Sequence, residues 1–408
     1  MKRDLRWAPT IALSWTWGLG LFFSVQAAVV FGLAGLIAFV VPNTIGLALF
    51  GVVLGRRSSP GPTAAFAALS DPMRTALLAY QALAIALTVF AAVHYAAPPF
   101  LGAAGTVLGL LAALAAIASG WRCNAGALRN RHFVALGIFA AAMLAVAWGL
   151  PDLPPAPAGP LVPVSSVAFW GAAIPLCIGL LLGPWLDLQQ WQRAIAIQAE
   201  GGSTAVAYVA GATLFGLIIL LHGLLGLWAM GVGGATSLRI GLFDGLDYGH
   251  DIPAVIIAAS GSPSVVLAYA ALLAIALGTT LDSGASALRW FLQPGQTGAG
   301  ALPPAGLCLL APGAGLAASL VGAELEYFML PYGTALVGFS AITAAAAGRG
   351  GAPVPTAAMT AVAGLSALAF AVGYLTHWPA LQIAASLAPL LHLLALRGMV
   401  RTRPVPHV

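Results

Sequence analysis

Apolar residues run along this chain in stretches of about twenty, parted by short segments rich in Pro, Gly, Ser and Arg. Such stretches predict helices, because a helix needs about 20 apolar residues to span a hydrocarbon core of roughly 30 Å. The short alternating segments of a β-barrel are absent. Twelve helices are predicted, over 10–31, 33–55, 74–97, 101–119, 132–150, 166–186, 205–230, 264–291, 305–323, 327–347, 354–375 and 378–396. Breakers mark the loops: Ser58-Ser59-Pro60-Gly61-Pro62, the run from Pro151 to Pro163, and the run from Gln293 to Pro304. The longest connection, 231–263, holds Asp244, Asp247, His250 and Asp251 and is predicted to fold over one membrane face.

Composition agrees with this pattern. Charged residues are 7% and hydrophobic residues 61% of 408, against about 25% charged in a soluble domain. Water cannot solvate such a surface, and lipid can. The net charge of +5 does not imply nucleic acid, because the basic residues are spread thinly through short loops. Those loops set an orientation. With the N-terminus in the cytoplasm and twelve crossings, 15 of 16 Lys and Arg residues fall inside and Arg239 alone falls outside. The expectation is a multi-pass protein of the cell membrane with both termini cytoplasmic. Lys2-Arg3 before an apolar run resembles a signal peptide, but the many later spans favour a retained first helix. Cys123, Cys177 and Cys308 lack metal-ligand spacing and read as small apolar residues.

The helix at 166–186 follows the helix at 10–31 by five spans, so a second set of five helices would be inverted relative to the first. Both leading helices contain breakers: Gly18, Gly20, Ser24 and Gln26 in one, and Gly171, Pro175, Gly179, Gly183 and Pro184 in the other. Paired broken helices in inverted halves point to a site at the bilayer midplane, where unwound backbone can bind an ion or a solute. The fold expected is a single all-α polytopic membrane domain: a first repeat over 10–150, a second over 166–347, and two additional helices over 354–396.

The eighth span reads Ala276-Leu277-Gly278-Thr279-Thr280-Leu281-Asp282-Ser283-Gly284-Ala285-Ser286. Ala276, Thr279 and Thr280 share one helix face. Two hydroxyls and a carbonyl there suit a small hard cation; close helix packing by small and hydroxyl residues is the plainer alternative. This segment resembles the eighth core helix of the sodium:solute symporter family. Asp187 with Gln192-Arg193-Ala194-Ile195-Ala196 is similar to that family's segment after the broken sixth helix. Gly32-Leu33-Ala34-Gly35 is similar to the turn after its first core helix. The resemblance covers about residues 8–347 and implies a ten-helix inverted-repeat fold with sodium as coupling ion. It implies sodium ligands at the carbonyls of Phe22, Val25 and Ala276 and the hydroxyls of Thr279 and Thr280. Proton-coupled relatives place a basic side chain in that site, and the sequence puts none beside it. The chain departs from the family around Phe22-Phe23-Ser24-Val25-Gln26 and starts at the core.

Asp282 is the one acid predicted deep in a span, with Arg289 or Ser286 as partner, or with Ser283 and Ser286 in a gate or ion exit. Gln26, Ser24, Trp170, Pro175, Tyr80 and Gln81 are the candidate solute contacts. His94, His222 and His377 read as satisfied or interfacial histidines, and Trp15, Trp17, Trp185, Trp191, Trp290 and Trp378 as an interfacial belt. Asp187 and Arg193 are expected to order the cytoplasmic end of the sixth helix. The function expected is secondary transport of a small polar solute. A transport-inactive sensor or partner subunit of the same fold is the alternative. An integral-membrane enzyme would need clustered acids or histidines, which the sequence lacks. No organic cofactor is implied.

Overall fold

The long apolar runs fold as helices, since a backbone away from water must close its own hydrogen bonds. The computed structural model describes residues 2–56, 61–150, 160–241, 247–293, 304–325, 338–341, 343 and 356–401. In chain order the helices are α1 (Lys2–Leu5), α2 (Ala8–Trp15), α3 (Leu19–Leu54), α4 (Gly61–Ala67) and α5 (Asp71–Ala91), the last extended by a π turn, Ala92–Ala96. Then come α6 (Pro98–Leu101), α7 (Ala103–Trp121), α8 (Ala125–Gly149), α9 (Val167–Leu182), α10 (Leu188–Ala199) and α11 (Thr204–Gly231). They are followed by α12 (Ile252–Ala259), α13 (Pro263–Phe291), α14 (Pro304–Leu320), α15 (Thr356–Leu375) and α16 (Pro379–Arg401). Two short strands, β1 (Arg239–Ile240) and β2 (Asp247–Tyr248), pair antiparallel in the long connection.

Among the described residues eight helices are long and apolar enough to cross a membrane, and Leu310–Leu320 and Pro379–Leu394 are shorter apolar helices. The first two predicted spans meet in α3 as two helices joined at Gly32, where φ is 65° and ψ is −158°, and Phe23 of the first packs near Phe39 of the second. That backbone is open to glycine and strained for any L side chain. The predicted span 327–347 lies outside the described residues except for 338–341 and 343.

The helices pack in two groups. One holds α2, α3, α9 and α11, and the other holds α5, α7, α8, α13 and α14. Small residues let backbones approach: a Cβ on Gly51 would strike the Tyr208 ring, and one on Gly120 would strike the backbone of Asp282. On α3 the exposed side chains are Leu33, Ile37, Val41, Ile45 and Leu49, every fourth residue, which makes an apolar stripe suited to lipid. The predicted tryptophan belt needs correction. Trp15, Trp17, Trp185 and Trp191 are all buried, whereas Trp378 is exposed. Phe50 packs edge-on against both Trp185 and Trp191, so these rings fill the interior rather than the interface.

Candidate functional site

Two helix breaks meet inside the bundle. The first follows α2: Trp17 has φ of 51° and Gly18 of 57° before α3 begins. Gly18 is the residue that permits this, because a Cβ there would fall on Leu277 of α13. The second break follows α9, where Gly183–Leu186 winds as a 3-10 turn and Asp187 is extended before α10. Pro184 lacks an N–H to continue the helix. Asp187 ties the breaks together. Its Oδ1 accepts from the Gln189 N–H at 2.7 Å, capping α10, and its Oδ2 accepts from the Trp17 indole N–H at 3.1 Å.

A cavity of about 50 Å³ lies between these breaks, walled by Trp15, Thr16, Trp17, Leu19, Gly20 and Phe23 at the first. Gly179, Leu180 and Gly183 wall it at the second, with Phe39 and Asn43 of α3 and Tyr80 of α5. The Trp15 N–H donates to the Asn43 Oδ1 at 2.6 Å, and the Thr16 hydroxyl donates to the Ala12 carbonyl. Trp17 meets Trp15 edge to face, and Tyr80 meets Trp17 likewise.

On α13 the predicted hydroxyls are buried and side by side. Thr280 Oγ1 donates to the Ala276 carbonyl at 2.9 Å, and Thr279 Oγ1 to the Ile275 carbonyl at 2.7 Å. The lone pairs of both oxygens stay available. One turn further along, Ser283 accepts from Arg193 Nη2 at 2.7 Å. Arg193 is buried and also donates to the Thr10 hydroxyl and the Gln189 carbonyl. A basic side chain therefore does stand one turn from the hydroxyl pair. The sequence concealed it because α10 and α13 lie far apart along the chain.

Asp282 accepts from the His132 ring at 3.1 Å, and the other ring nitrogen of His132 is 2.8 Å from the Thr10 hydroxyl. Its predicted partners are otherwise engaged: Arg289 donates to the Trp121 carbonyl, and the Ser286 hydroxyl to the Cys123 carbonyl. Ser286 also accepts from the Gln192 amide. Asp282, His132 and Thr279 line a second, larger cavity of about 250 Å³ between α7, α8 and α13, with Ser119 and Arg131 at its rim. This larger cavity does not touch the helix breaks. These polar bonds close the bundle at its N-terminal end, where Glu200 joins Arg129 and Trp7.

The opposite end is closed by the described parts of the connection after α11, 232–241 and 247–262. Gln26 Oε1 accepts from the Gly249 N–H at 2.9 Å. Arg239 forks onto Asp251 at 3.1 and 3.3 Å and stands 3.6 Å from Glu324. Tyr95 donates to Glu324 at 2.6 Å, and His250 lies between the rings of Tyr95 and Tyr248. Burial, then the adjacent Arg239 and His94, hold His250 well below its ordinary value of 6.5. Burial pushes the Asp251 carboxyl up. The depressed histidine stabilises the fold above 6.5 and costs stability as pH falls below it, because the unfolded chain takes the proton first. Asp251, raised by burial, acts in the other direction: its contribution is lost as pH rises from 3.8. The melting temperature is expected to fall from pH 7 to 5.5, at up to about 1 kcal/mol per unit from this one group. His250→Phe should flatten that slope. A variant with the wild-type slope would remove His250 as its cause.

The predicted site residues divide accordingly. Tyr80 reaches the break cavity, and Thr279, Thr280, Asp282, Ser283 and Ser286 are all buried on α13, which is buried all round from Thr279 to Leu288. Phe22 and Val25 do not carry free carbonyls, because they stand one and two turns past the break, inside the first helical half of α3, before Gly32. Ser24 donates to the Leu21 carbonyl of its own helix. Gln26 belongs to the far closure. Pro175 lies inside α9, before the break, and Trp170 is 47% exposed. Gln81 is buried, and its amide has no hydrogen-bond partner among the described residues. It sits against Gly284 of α13. His222 is satisfied as expected, bonded to the Leu21 carbonyl and the Tyr269 hydroxyl. Sequence reasoning missed His132, which its partners' positions, 122 and 150 residues away, made invisible.

No family model matches the chain, and no curated protein matches it in sequence. Its structure is similar to a solved Na+-coupled sialic acid symporter in a substrate-bound, outward-open state. The TM-score is 0.55 at 12% identity, over 94% of this chain and 89% of that one. The chain thus has the fold of a polytopic helical transporter, as the sequence resemblance implied.

Proposed function

We propose that this chain is a sodium-coupled symporter of a small solute, working by alternating access. The observation that carries the reading is the meeting of two helix breaks around one cavity, with Gly18 of the first break against Leu277 of the helix that bears Thr279 and Thr280. Unwound backbone at membrane depth is tolerated where it lines a cavity or a site. The solute occupies the break cavity, against Trp17 and Tyr80. Sodium takes the Thr279 and Thr280 hydroxyls and the Ala276 carbonyl, with carbonyls from the end of α2 completing a shell of hard oxygen ligands. Gly18 of that break touches Leu277, next to Ala276, which supports the pairing of α2 with α13. Arg193 confines the ion to this hydroxyl pair by repelling it from Ser283. The cavity lined by Thr279, His132 and Asp282 is the route by which sodium leaves.

The two packed helix groups move against one another, and sodium joining α2 to α13 favours one arrangement. A ligand shifts such an equilibrium only through its differential affinity for the two states. Uptake into proteoliposomes tests the reading: a sodium gradient should drive solute accumulation. Solute binding without accumulation would favour a transport-inactive sensor of this fold, and accumulation driven by a proton gradient alone would displace sodium.

The protein lies in the cell membrane with both termini in the cytoplasm, as the distribution of Lys and Arg supports. Ala64→Cys, in the loop helix α4, should be labelled from the cytoplasmic side and Ala235→Cys from outside. Labelling of both from one side would overturn the topology.

A further inference from the structure

We propose that the cavity at the two helix breaks is an aromatic cage for a small methylated ammonium cation. The proposal rests on the reading of that cavity as the solute site and specifies its chemistry. Five rings wall it, Trp15, Trp17, Phe23, Phe39 and Tyr80. Neighbouring rings are inclined to one another: Trp15 to Trp17 at 71° and 5.7 Å, Trp17 to Tyr80 at 60° and 5.1 Å, and Phe23 to Phe39 at 35° and 6.3 Å. Rings turned to one another in this way present faces from several directions to one small volume. A ring face carries negative charge density and attracts a cation within about 6 Å of its centre.

The hydrogen bonds of these rings sharpen the preference. Both indole N–H groups are spent on protein acceptors, Trp15 on Asn43 and Trp17 on Asp187. Neither is left to meet an anion or a hydroxyl. Asp187 lies at the edge of the Trp17 ring, with its carboxylate on the indole N–H. An indole that donates to a carboxylate has a more electron-rich face, so the carboxylate favours a cation across the ring without touching it. No Lys, Arg or His lines the cavity among the described residues, so a carboxylate-bearing solute would find no counter-charge. Size narrows the class further. A water needs roughly 10–15 Å³ of such volume, so about 50 Å³ accommodates a compact group of a few heavy atoms and excludes a sugar acid. A bare metal cation would lose its hydration against rings that offer no oxygen shell. A methylated ammonium is weakly hydrated and matches both the size and the charge.

The test is isothermal titration of the detergent-solubilised full chain with tetramethylammonium chloride, and with neopentyl alcohol as the neutral molecule of like shape. Tetramethylammonium should bind at least about tenfold tighter than the alcohol. Tyr80→Leu should weaken it about tenfold, while Tyr80→Phe, which keeps the ring, should stay within about threefold. Trp17→Leu should abolish it, and the Tyr80 pair carries the test if that variant fails to fold. Equal binding of the alcohol, no binding of tetramethylammonium, or equal damage from Tyr80→Phe and Tyr80→Leu would overturn the cage. The assay needs no gradient, so the two readings fail separately. Cation binding in a protein that accumulates no solute would sink transport and leave the cage. Sodium-driven uptake without tetramethylammonium binding would sink the cage and leave transport.

Discussion

Thr280→Ala is expected to raise the half-saturating sodium concentration about tenfold, the effect of losing one ligand oxygen worth about 1–2 kcal/mol. Thr280 is 3% exposed, and its hydroxyl proton already goes to the Ala276 carbonyl at 2.9 Å. The oxygen lone pairs therefore point away from that bond and can meet a cation. Thr280→Ser keeps the oxygen and loses a methyl group, so its sodium response should stay within about threefold. Sodium-stimulated solute binding should weaken in step with sodium binding, because coupling between two ligands is reciprocal. Close packing by the same hydroxyls predicts otherwise: both variants would change the melting temperature and neither the sodium dependence. Sodium titrations of uptake in proteoliposomes, alongside melting curves, separate the two.

The largest stability loss is expected from Arg193→Met. Arg193 is 1% exposed, donates to Thr10, Gln189 and Ser283, and feels the charges of Asp187 and Asp282. Removing one member of a buried charge network leaves the others uncompensated, at a cost of about 3–5 kcal/mol. In a chain of this size that is about 4–6 °C in melting temperature. Arg193→Lys keeps the charge but not the fork geometry and should lose about half as much. Scanning fluorimetry in detergent measures both. A methionine variant that melts with the wild type would show that the guanidinium contributes no net stability.

The helices were legible because lipid and the backbone allow one solution for an apolar run of twenty residues. Every predicted span that falls on described residues has a helix. The breaks were less legible. Gly18 is a glycine among several, and Gly20, Ser24 and Gln26 drew the expected site two turns too far along the first helix. Trp17 in the left-handed region has no local signal at all; tertiary packing holds it there. Likewise α10, with Gln189, Gln190, Gln192 and Arg193, lies between the predicted spans. It is buried because its partners Ser14, Thr10, Ser283 and Ser286 arrive from other helices. The hydroxyl pair on α13 was readable since its three members lie within one turn. The Asp282 partner was not, since a lone intramembrane acid says that a partner exists and not which one.

The bond from Trp17 to Asp187 also bears on stoichiometry. With the bonds of Gln190 to Ser14 and Arg193 to Thr10 it fastens the two breaks together, so under the proposed reading a movement at one break pulls on the other. A carrier whose hinges act separately leaks: solute slips through without its ion, or the ion without its solute, and the gradient drains. If the chain is the proposed carrier, joining the breaks by these hydrogen bonds would make a half-completed stroke unfavourable. Fidelity of exchange in this protein would then be set at the joint between its two halves, apart from the tightness of either ligand.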